Sequence, residues 1–295
     1  MKQFPEAKDV AIVYDADCPD GFGGAWAAWK IFGDEATYIP GHYGEDKGDE
    51  LEGKHVYFID FCYEKEEIVA LRPKVKSMTL IDHHKSREDM VEMKEFDDTL
   101  FSVENSGAVL AWQYFHGEQS VPQILLHVED LDLWAWKLDD TASVMAMLSS
   151  YPFSFLVWED IISAFVKGGA LKERYMAEGA ALVRKRDMNV ARVVDDAEEV
   201  VFEGVRCLLA NSRGDVSHVG AALVQKMPPI GIIWSRRDQQ LICSLRSDGS
   251  VDVSKLAEKH GGGGHAAAAA FRIHDPEFTK LHEMFGKEEK DPKAR

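Results

Sequence analysis

Residues 13–24 read VYDADCPDGFGG and continue the apolar stretch Val10-Ala11-Ile12. Near-continuous hydrophobic runs of this length suit strands buried on both faces of a parallel sheet. This one ends by placing Asp15, Asp17 and Asp20 within six positions, with Cys18 and Pro19 between them. Two further segments repeat the arrangement: residues 55–59 run into Asp60, and residues 78–81 run into Asp82-His83-His84. The intervening segments, 24–32 and 64–71 among them, can supply crossover helices. In open parallel sheets, ligands gather in the crevice beyond the carboxyl ends of the strands. Three strand ends carrying acids and histidines would converge there, and the predicted fold class is α/β with a parallel sheet.

Composition limits what such a crevice can serve. The chain has 295 residues, 45% of them hydrophobic, enough for a sizeable core in one large or two ordinary domains. Lys and Arg total 34 against 51 Asp and Glu, a formal net charge of -17. That charge repels a long polyanion unless metal ions or a local basic patch offset it, so no long nucleic acid is expected as a partner. Cys18, Cys62, Cys207 and Cys243 form no CxxC pair, which argues against a disulfide framework or a zinc knuckle and for reduced thiols in a cytoplasmic protein. The longest uncharged apolar run, residues 144–158, is too short to span a bilayer and contains Pro152, so no membrane role is expected.

From about residue 106 to 192 the pattern turns helical, with candidates at 106–115, 121–131 and 154–165 and a connecting helix over 171–193. The acidic DDAEEV that follows, residues 195–200, reads as a solvated linker because adjacent like charges resist burial. Beyond it, residues 200–210, 230–234 and 241–246 read as strands, with a helix near 254–259 and then GGGGH. The expected organisation is a catalytic domain over residues 1–190, joined by the helical linker to a smaller α/β domain over 196–286, with a charged tail at 287–295.

The sharpest chemical signal is LIDHHKS, residues 80–86. In a turn just past a strand, both imidazoles can face one crevice, one reaching a metal and the other a bound anion. Clustered carboxylates raise one another's pKa and destabilise a fold unless divalent cations remove the conflict. Asp oxygens with one or two imidazoles suit Mn²⁺, with Mg²⁺, Co²⁺ or Fe²⁺ also suited, whereas structural zinc prefers more sulfur. VEDLDLW, residues 128–134, adds Asp130 as a further candidate, although local pattern alone equally allows a solvated or capping acid. HGGGGHAAAAAF, residues 260–271, is the second strong signal: glycines without Cβ let backbone N–H groups close on a phosphate, and His265 adds a donor. Arg246 offers a planar fork for phosphate oxygens. Trp26, Trp29, Trp134 and Trp136 are expected in the core rather than stacked on a base.

Together these motifs resemble the DHH/DHHA1 phosphoesterase superfamily. DADCPDG matches its first motif, Asp60 of FIDFCY the second, DHH itself lies at 82–84, Asp130 of EDLDLW matches the fourth, and GGGGH is the DHHA1 signature. CPDG, DLW and the compact length most resemble its small stand-alone members, of the NrnB-like oligoribonuclease and cyclic-nucleotide phosphodiesterase type. The resemblance implies a DHH domain and a DHHA1 domain with the active site in the cleft between them. It implies two divalent ions, Mn²⁺ foremost, held by Asp15, Asp17, Asp20, Asp60, His83 and Asp130, with Asp60 as the bridge. His84 would face the phosphate, and Asp60, His83 and His84 would form the catalytic set. Ser106 at a helix start, Arg246, Gly262, Gly263, Gly264 and His265 would bind substrate. Asp15 stands where many relatives have His, so the three first-motif acids share the metal role, with Asp20 the best match.

The implied activity is hydrolysis of a small phosphate ester by a two-metal-activated hydroxide, on a short oligoribonucleotide, a linear dinucleotide or a cyclic nucleotide. A pyrophosphatase or exopolyphosphatase is the alternative within the same chemistry. A non-catalytic nucleotide sensor is the alternative outside it, and a homodimer is compatible with all three. A nucleophilic Cys18 is a poorer reading, because nothing local places a base beside it.

Overall fold

The computed structural model describes residues 3–16, 18–42, 48–237 and 239–274 and divides into two units, Met1–Val183 and Arg184–Arg295. The first opens with β1 (Val10–Asp15), α1 (Pro19–Phe32), β2 (Thr37–Gly41), α2 (Gly48–Leu51), β3 (His55–Ile59), α3 (Lys65–Leu71), β4 (Ser77–Asp82) and β5 (Asp98–Phe101). The strands form one parallel sheet in the order β2-β1-β3-β4-β5. Successive side chains on a strand point to opposite faces. Val10, Ile12, Tyr57, Ile59 and Ile81 therefore enter one apolar cluster, while Ala11, Val13, Val56, Phe58 and Leu80 enter another. Because both faces are covered, the three central strands are apolar at nearly every position, which is what made them readable.

The edge strands β2 and β5 are not anticipated by that pattern. Pro40 interrupts β2, and most of the side chains of both strands keep some solvent exposure. Edge strands need no continuous apolar run, since one side of each is not sandwiched in the sheet.

Helices α4 (Gly107–His116), α5 (Gln123–Asp132), α6 (Thr141–Leu148) and α7 (Phe155–Lys167) follow, and they pack with α1 on the first face of the sheet. Trp26 of α1 stacks on Trp112 of α4 with ring centroids 5.7 Å apart, joining the two helices. A fully buried side chain of this size contributes roughly 1.5–3 kcal/mol or more through its burial. α8 (Ala170–Asp195) then crosses the division between the units.

The second unit contains β6 (Glu198–Phe202), β7 (Val205–Asn211), α9 (Val216–Lys226), β8 (Ile230–Arg237), β9 (Gln240–Ser247), α10 (Val253–Glu258), β10 (Gly263–His265) and β11 (Ala268–His274). Its sheet, in the order β10-β11-β9-β8-β7-β6, is mixed: β7 and β8 are parallel and the other pairs antiparallel. The fold is α/β, with a parallel sheet followed by a smaller mixed one.

Two local readings are corrected. Residues 200–210 are a hairpin rather than one strand, because Glu203 and Gly204 both take positive φ, 49° and 80°, and reverse the chain in two residues. DDAEEV is only partly a linker: Glu198, Glu199 and Val200 belong to β6. That strand lies at the sheet edge, so its glutamates stay in water, and Glu199 pairs with Arg206 at 3.0 Å. The proposed tail, residues 287–295, lies outside the described residues.

Candidate metal centre

The carboxyl ends of β1, β3 and β4 lie side by side in the sheet, and each places an acid or histidine at its end. Asp60 follows β3 in the left-handed conformation, φ 58°, with its N–H donated to Ile81 O at 2.9 Å. Asp tolerates that region better than most residues, yet the conformation costs on the order of 1 kcal/mol. Strain of this kind persists where the surroundings enforce it, often at functional sites. The Asp60 side chain is 2% exposed, and its Oδ1 has no hydrogen-bond partner.

His83 meets that oxygen. Its Nε2 lies 3.1 Å from Asp60 Oδ1, 3.5 Å from Asp132 Oδ2 and 3.7 Å from Asp20 Oδ2. His84 sits beside it, ring centroids 4.4 Å apart, and its Nδ1 lies 3.7 Å from Asp60 Oδ1. The two imidazoles thus face one site, as a turn past the strand allows. Asp82 makes that turn: one oxygen, Oδ1, accepts from the backbone N–H of His83 at 2.6 Å and of His84 at 2.9 Å, and bonds His84 Nδ1 at 2.8 Å. Asp82 therefore fixes which nitrogen of His84 is engaged by protein and leaves Nε2 for other partners.

Asp20 is oriented by a helix end. Its Oδ2 accepts from Gly107 N at 2.6 Å and its Oδ1 from Ala108 N at 3.0 Å, the first turn of α4. A carboxylate at the positive end of a helix is favoured, and here it satisfies donors that have no partner within the helix. The glycines after Asp20 serve close packing. A Cβ on Gly21 would lie 2.4 Å from Asp15 O, and one on Gly24 would lie 2.4 Å from Ile59 Cγ2.

Three overlapping groups of side chains could each hold a metal ion: Asp60 with His83 and His84, Asp15 with Cys18 and Asp60, and Asp20 with His83 and Asp132. Their ligand atoms lie within 4.8 Å of one another in each group. Asp60 belongs to two groups, and so does His83. Electrostatics point the same way. Burial, then the neighbouring Asp20 and Asp132 carboxylates, pushes the Asp60 carboxyl well above the usual range. Burial raises Asp15 to about 6, and burial followed by Asp20 raises Asp132 to about 7. Such mutually repelling oxygens, one of them an orphaned buried acceptor, fit a site built for hard divalent cations. Burial opposes the charge on Asp82, but the hydrogen bond from His84 and the turn N–H groups outweigh it and hold its carboxyl below the usual value.

Of the sequence candidates, Asp15, Asp20, Asp60, His83 and His84 come together here, while Asp17 lies outside the described residues. Asp130 does not join them. Its Oδ1 accepts from Lys137 N at 2.7 Å, and its Oδ2 from Leu138 N at 3.1 Å and Thr141 Oγ1 at 2.6 Å. Asp130 is in none of the three ligand groups and is committed to the α5–α6 loop, whereas Asp132, at the last position of α5, lies 3.5 Å from His83 Nε2. EDLDLW offers both acids, and the helix terminus that separates them carries no signal of its own.

Ser106 is likewise structural. It is buried, its Oγ accepts from Val109 N, and its N–H is donated to Glu129 Oε2 at 2.9 Å. Since Asp20 holds the next two N–H groups, the α4 N-terminus has no donors there for a phosphate. In the second unit, the Arg246 guanidinium donates to Ser217 Oγ at 3.0 Å and to Leu245 O at 2.9 Å. The glycine run is not an open nest: Gly262 N–H is donated to Ala257 O, and Gly263, Gly264 and His265 pair with Ala270, Ala269 and Ala268 as a short strand. His265 is exposed.

Among the described residues, no helix is long and apolar enough to cross a membrane. Burial, followed by the charges of Asp60 and Asp20, pushes the Cys18 thiol far up, and its Sγ lies 3.8 Å from Asp60 Oδ2.

Residues 211–288 match the model of the DHHA1 domain. An uncharacterized protein, R106, of Acanthamoeba polyphaga mimivirus is 26% identical over 88% of this chain. The chain spans 66% of that relative's length. The pGpG-specific phosphodiesterase PggH from Vibrio cholerae aligns over 93% of this chain and 96% of its own, with TM-score 0.52 and 13% identity. RecJ from Thermus thermophilus, in complex with Mn²⁺, aligns over 90% of this chain and 49% of its own, with TM-score 0.51 and 13% identity. At that identity the two structures speak to the fold, an α/β architecture shared along most of the chain.

Proposed function

We propose that the chain is a member of the DHH/DHHA1 phosphoesterase superfamily, a reading supported by the DHHA1 match over residues 211–288, and that it is a metal-dependent phosphodiesterase for small phosphate esters. Short oligoribonucleotides, linear dinucleotides and cyclic nucleotides are the substrates in view. The observation that carries this reading is Asp60: buried, backbone-strained, with an orphaned Oδ1, and common to two of the candidate ligand groups. The PggH and RecJ folds support it, one being a phosphodiesterase and the other a Mn²⁺ complex.

In this reading Asp15, Asp20, Asp60, His83 and Asp132 would hold two divalent ions, Mn²⁺ foremost, Asp60 being common to two of the candidate groups. When bound, such a pair supplies Lewis acidity for water activation and for an in-line phosphoryl displacement. The chain's own residues do the remainder. Asp82 keeps His84 turned to the site with Nδ1–H donated to its carboxylate, so that in the imidazolium form Nε2–H can donate to a phosphoryl oxygen as charge develops there. Asp20, locked by Gly107 and Ala108 N–H, cannot swing away when neighbouring carboxylates repel it. Arg246 and His265 of the second unit are proposed to bind substrate phosphate.

The test is hydrolysis of a substrate panel, including a linear dinucleotide, a cyclic dinucleotide, a pentaribonucleotide and pyrophosphate, with Mn²⁺, Mg²⁺ or Co²⁺ added. Nucleotide release that needs a divalent ion and is abolished by Asp60→Ala and His83→Ala is expected. Turnover of pyrophosphate alone, or tight nucleotide binding without turnover, would replace this reading with a pyrophosphatase or a sensor.

A further inference from the structure

The loop between α5 and α6 begins one residue after Asp132 and exposes two large aromatics, Trp134 at 43% and Trp136 at 38%. The core expected for the tryptophans holds for Trp26, which is 2% exposed, but not for this pair. Water-facing tryptophans need an explanation, because each gives up the burial that usually keeps an indole in a protein.

The loop is also built at a cost. Trp134 and Trp136 both take positive φ, 53° and 51°, a region that bulky residues rarely adopt. It is held there by the buried Asp130, whose backbone carbonyl accepts from Ala135 N at 2.9 Å and Trp136 N at 3.4 Å. The Asp130 carboxylate takes the next two N–H groups and the Thr141 hydroxyl. The two rings meet edge to face, centroids 5.0 Å apart and planes at 82°. At 43% and 38% exposure, both residues keep indole surface open to solvent.

Position gives this pair its meaning. Trp134 is two residues beyond Asp132, whose carboxylate lies 3.5 Å from His83 Nε2. A protein with net charge -17 has little general electrostatic attraction for a nucleotide. Stacking on an indole adds affinity that does not depend on charge and tolerates any base, because every base has a π-face.

We infer that Trp134 and Trp136 form the surface on which a nucleobase of the substrate stacks when its phosphate is at the metal centre, and that Asp130 is the positioning residue for that surface. This rests on the phosphodiesterase reading and adds a preference: esters carrying a purine or pyrimidine over those without one.

Hydrolysis of a dinucleotide is compared with that of its abasic analogue, in which both bases are missing, for the wild type, Trp134→Ala, Trp136→Ala and the double variant. The wild type should prefer the dinucleotide. In the double variant that preference, as a ratio of kcat/KM values, should fall about tenfold or more, through KM rather than kcat, in line with stacking strengths measured by alanine substitution. Trp→Phe variants, which keep a ring and guard against misfolding, should restore most of it. An unchanged ratio in the double variant overturns the inference. If the wild type hydrolyses neither ester, the phosphodiesterase reading fails separately. Calorimetric titration with a nucleoside 5′-monophosphate against ribose 5-phosphate then decides the stacking surface by itself. Tighter binding of the nucleotide that is lost in the double variant upholds it, and equal binding in both proteins overturns it.

Discussion

Gly107 abuts Asp60 so closely that a Cβ on the glycine would lie 2.6 Å from Asp60 Cβ and 3.0 Å from Asp20 Oδ2. The first turn of α4 is therefore both the clamp on Asp20, through two N–H donors, and the wall behind Asp60. In Gly107→Ala the helix start must move or the aspartates must. Overpacking of this kind costs about 1–3 kcal/mol, and disturbance of groups that orient metal ligands typically costs 10–100-fold in affinity or activity. The expected outcome is a protein that folds with a lowered melting temperature and binds Mn²⁺ at least about tenfold more weakly. Calorimetric Mn²⁺ titration beside thermal melting checks it, and wild-type affinity would show that the wall is not needed.

Much of this site is legible in the chain. Strands buried on both faces are apolar at successive positions, so the ends of β1, β3 and β4 announce themselves, and the acids and histidines just past them follow. What is less legible depends on contacts between distant residues. Asp130 and Asp132 are equivalent by pattern, and only the turn of α5 into its loop sends one to Thr141 and the other to His83. Ser106 reads as an anion-binding helix start until Asp20, far away in sequence, is seen to hold the adjacent N–H groups. The glycine run reads as an open loop until β11 is seen to pair with it. Asp82 is in plain view inside DHH, but its role as an acceptor for His84 appears only in the folded turn.

The separation of Asp130 from Asp132 predicts opposite results from the same substitution. Asp132 is raised to about 7 by burial and then by Asp20, so Asp132→Asn relieves repulsion. The metal-free protein should melt at or above the wild-type temperature while losing most of its stabilisation by Mn²⁺. Asp130→Ala instead strands the Thr141 hydroxyl and two loop N–H groups, at about 1–3 kcal/mol for each donor that water cannot reach. That variant should melt several degrees lower with or without Mn²⁺. Thermal melts across a Mn²⁺ series distinguish the two, and a matched pair of profiles would show that the acids share one role.

Cys18 lies beside Asp60, but its thiol is pushed up by burial and by the Asp60 and Asp20 charges, so it is protonated at neutral pH. A thiol in that state is a poor nucleophile. Cys18→Ser should keep hydrolytic activity within a few-fold of wild type, and the wild type should resist iodoacetamide in the absence of denaturant. Loss of activity on a thousandfold scale in the serine variant would restore the cysteine to the chemistry.

His127 predicts an acid sensitivity in the loop that carries the tryptophans. The Thr141 hydroxyl donates to Asp130 Oδ2 at 2.6 Å, so at 2.9 Å it must accept from His127 Nδ1–H, which places the ring's proton on that nitrogen. Burial holds His127 below the ordinary histidine value, and the attraction of Asp130 only partly offsets this. The folded ring stays neutral where the unfolded one, with a pKa of about 6.5, takes up a proton. In that window the unfolded chain binds more protons, so stability is full above about pH 6.5 and falls as the pH drops toward the lower folded value. Between pH 7.5 and 5.5 the wild type should lose more melting temperature than His127→Gln, whose amide can still donate to Thr141 but does not titrate. Because Asp132 and Asp15, raised to about 7 and about 6, also change charge over this interval in both proteins, nucleotide affinity should weaken more in the wild type than in His127→Gln. Equal pH dependence in the two proteins would remove His127 as the cause.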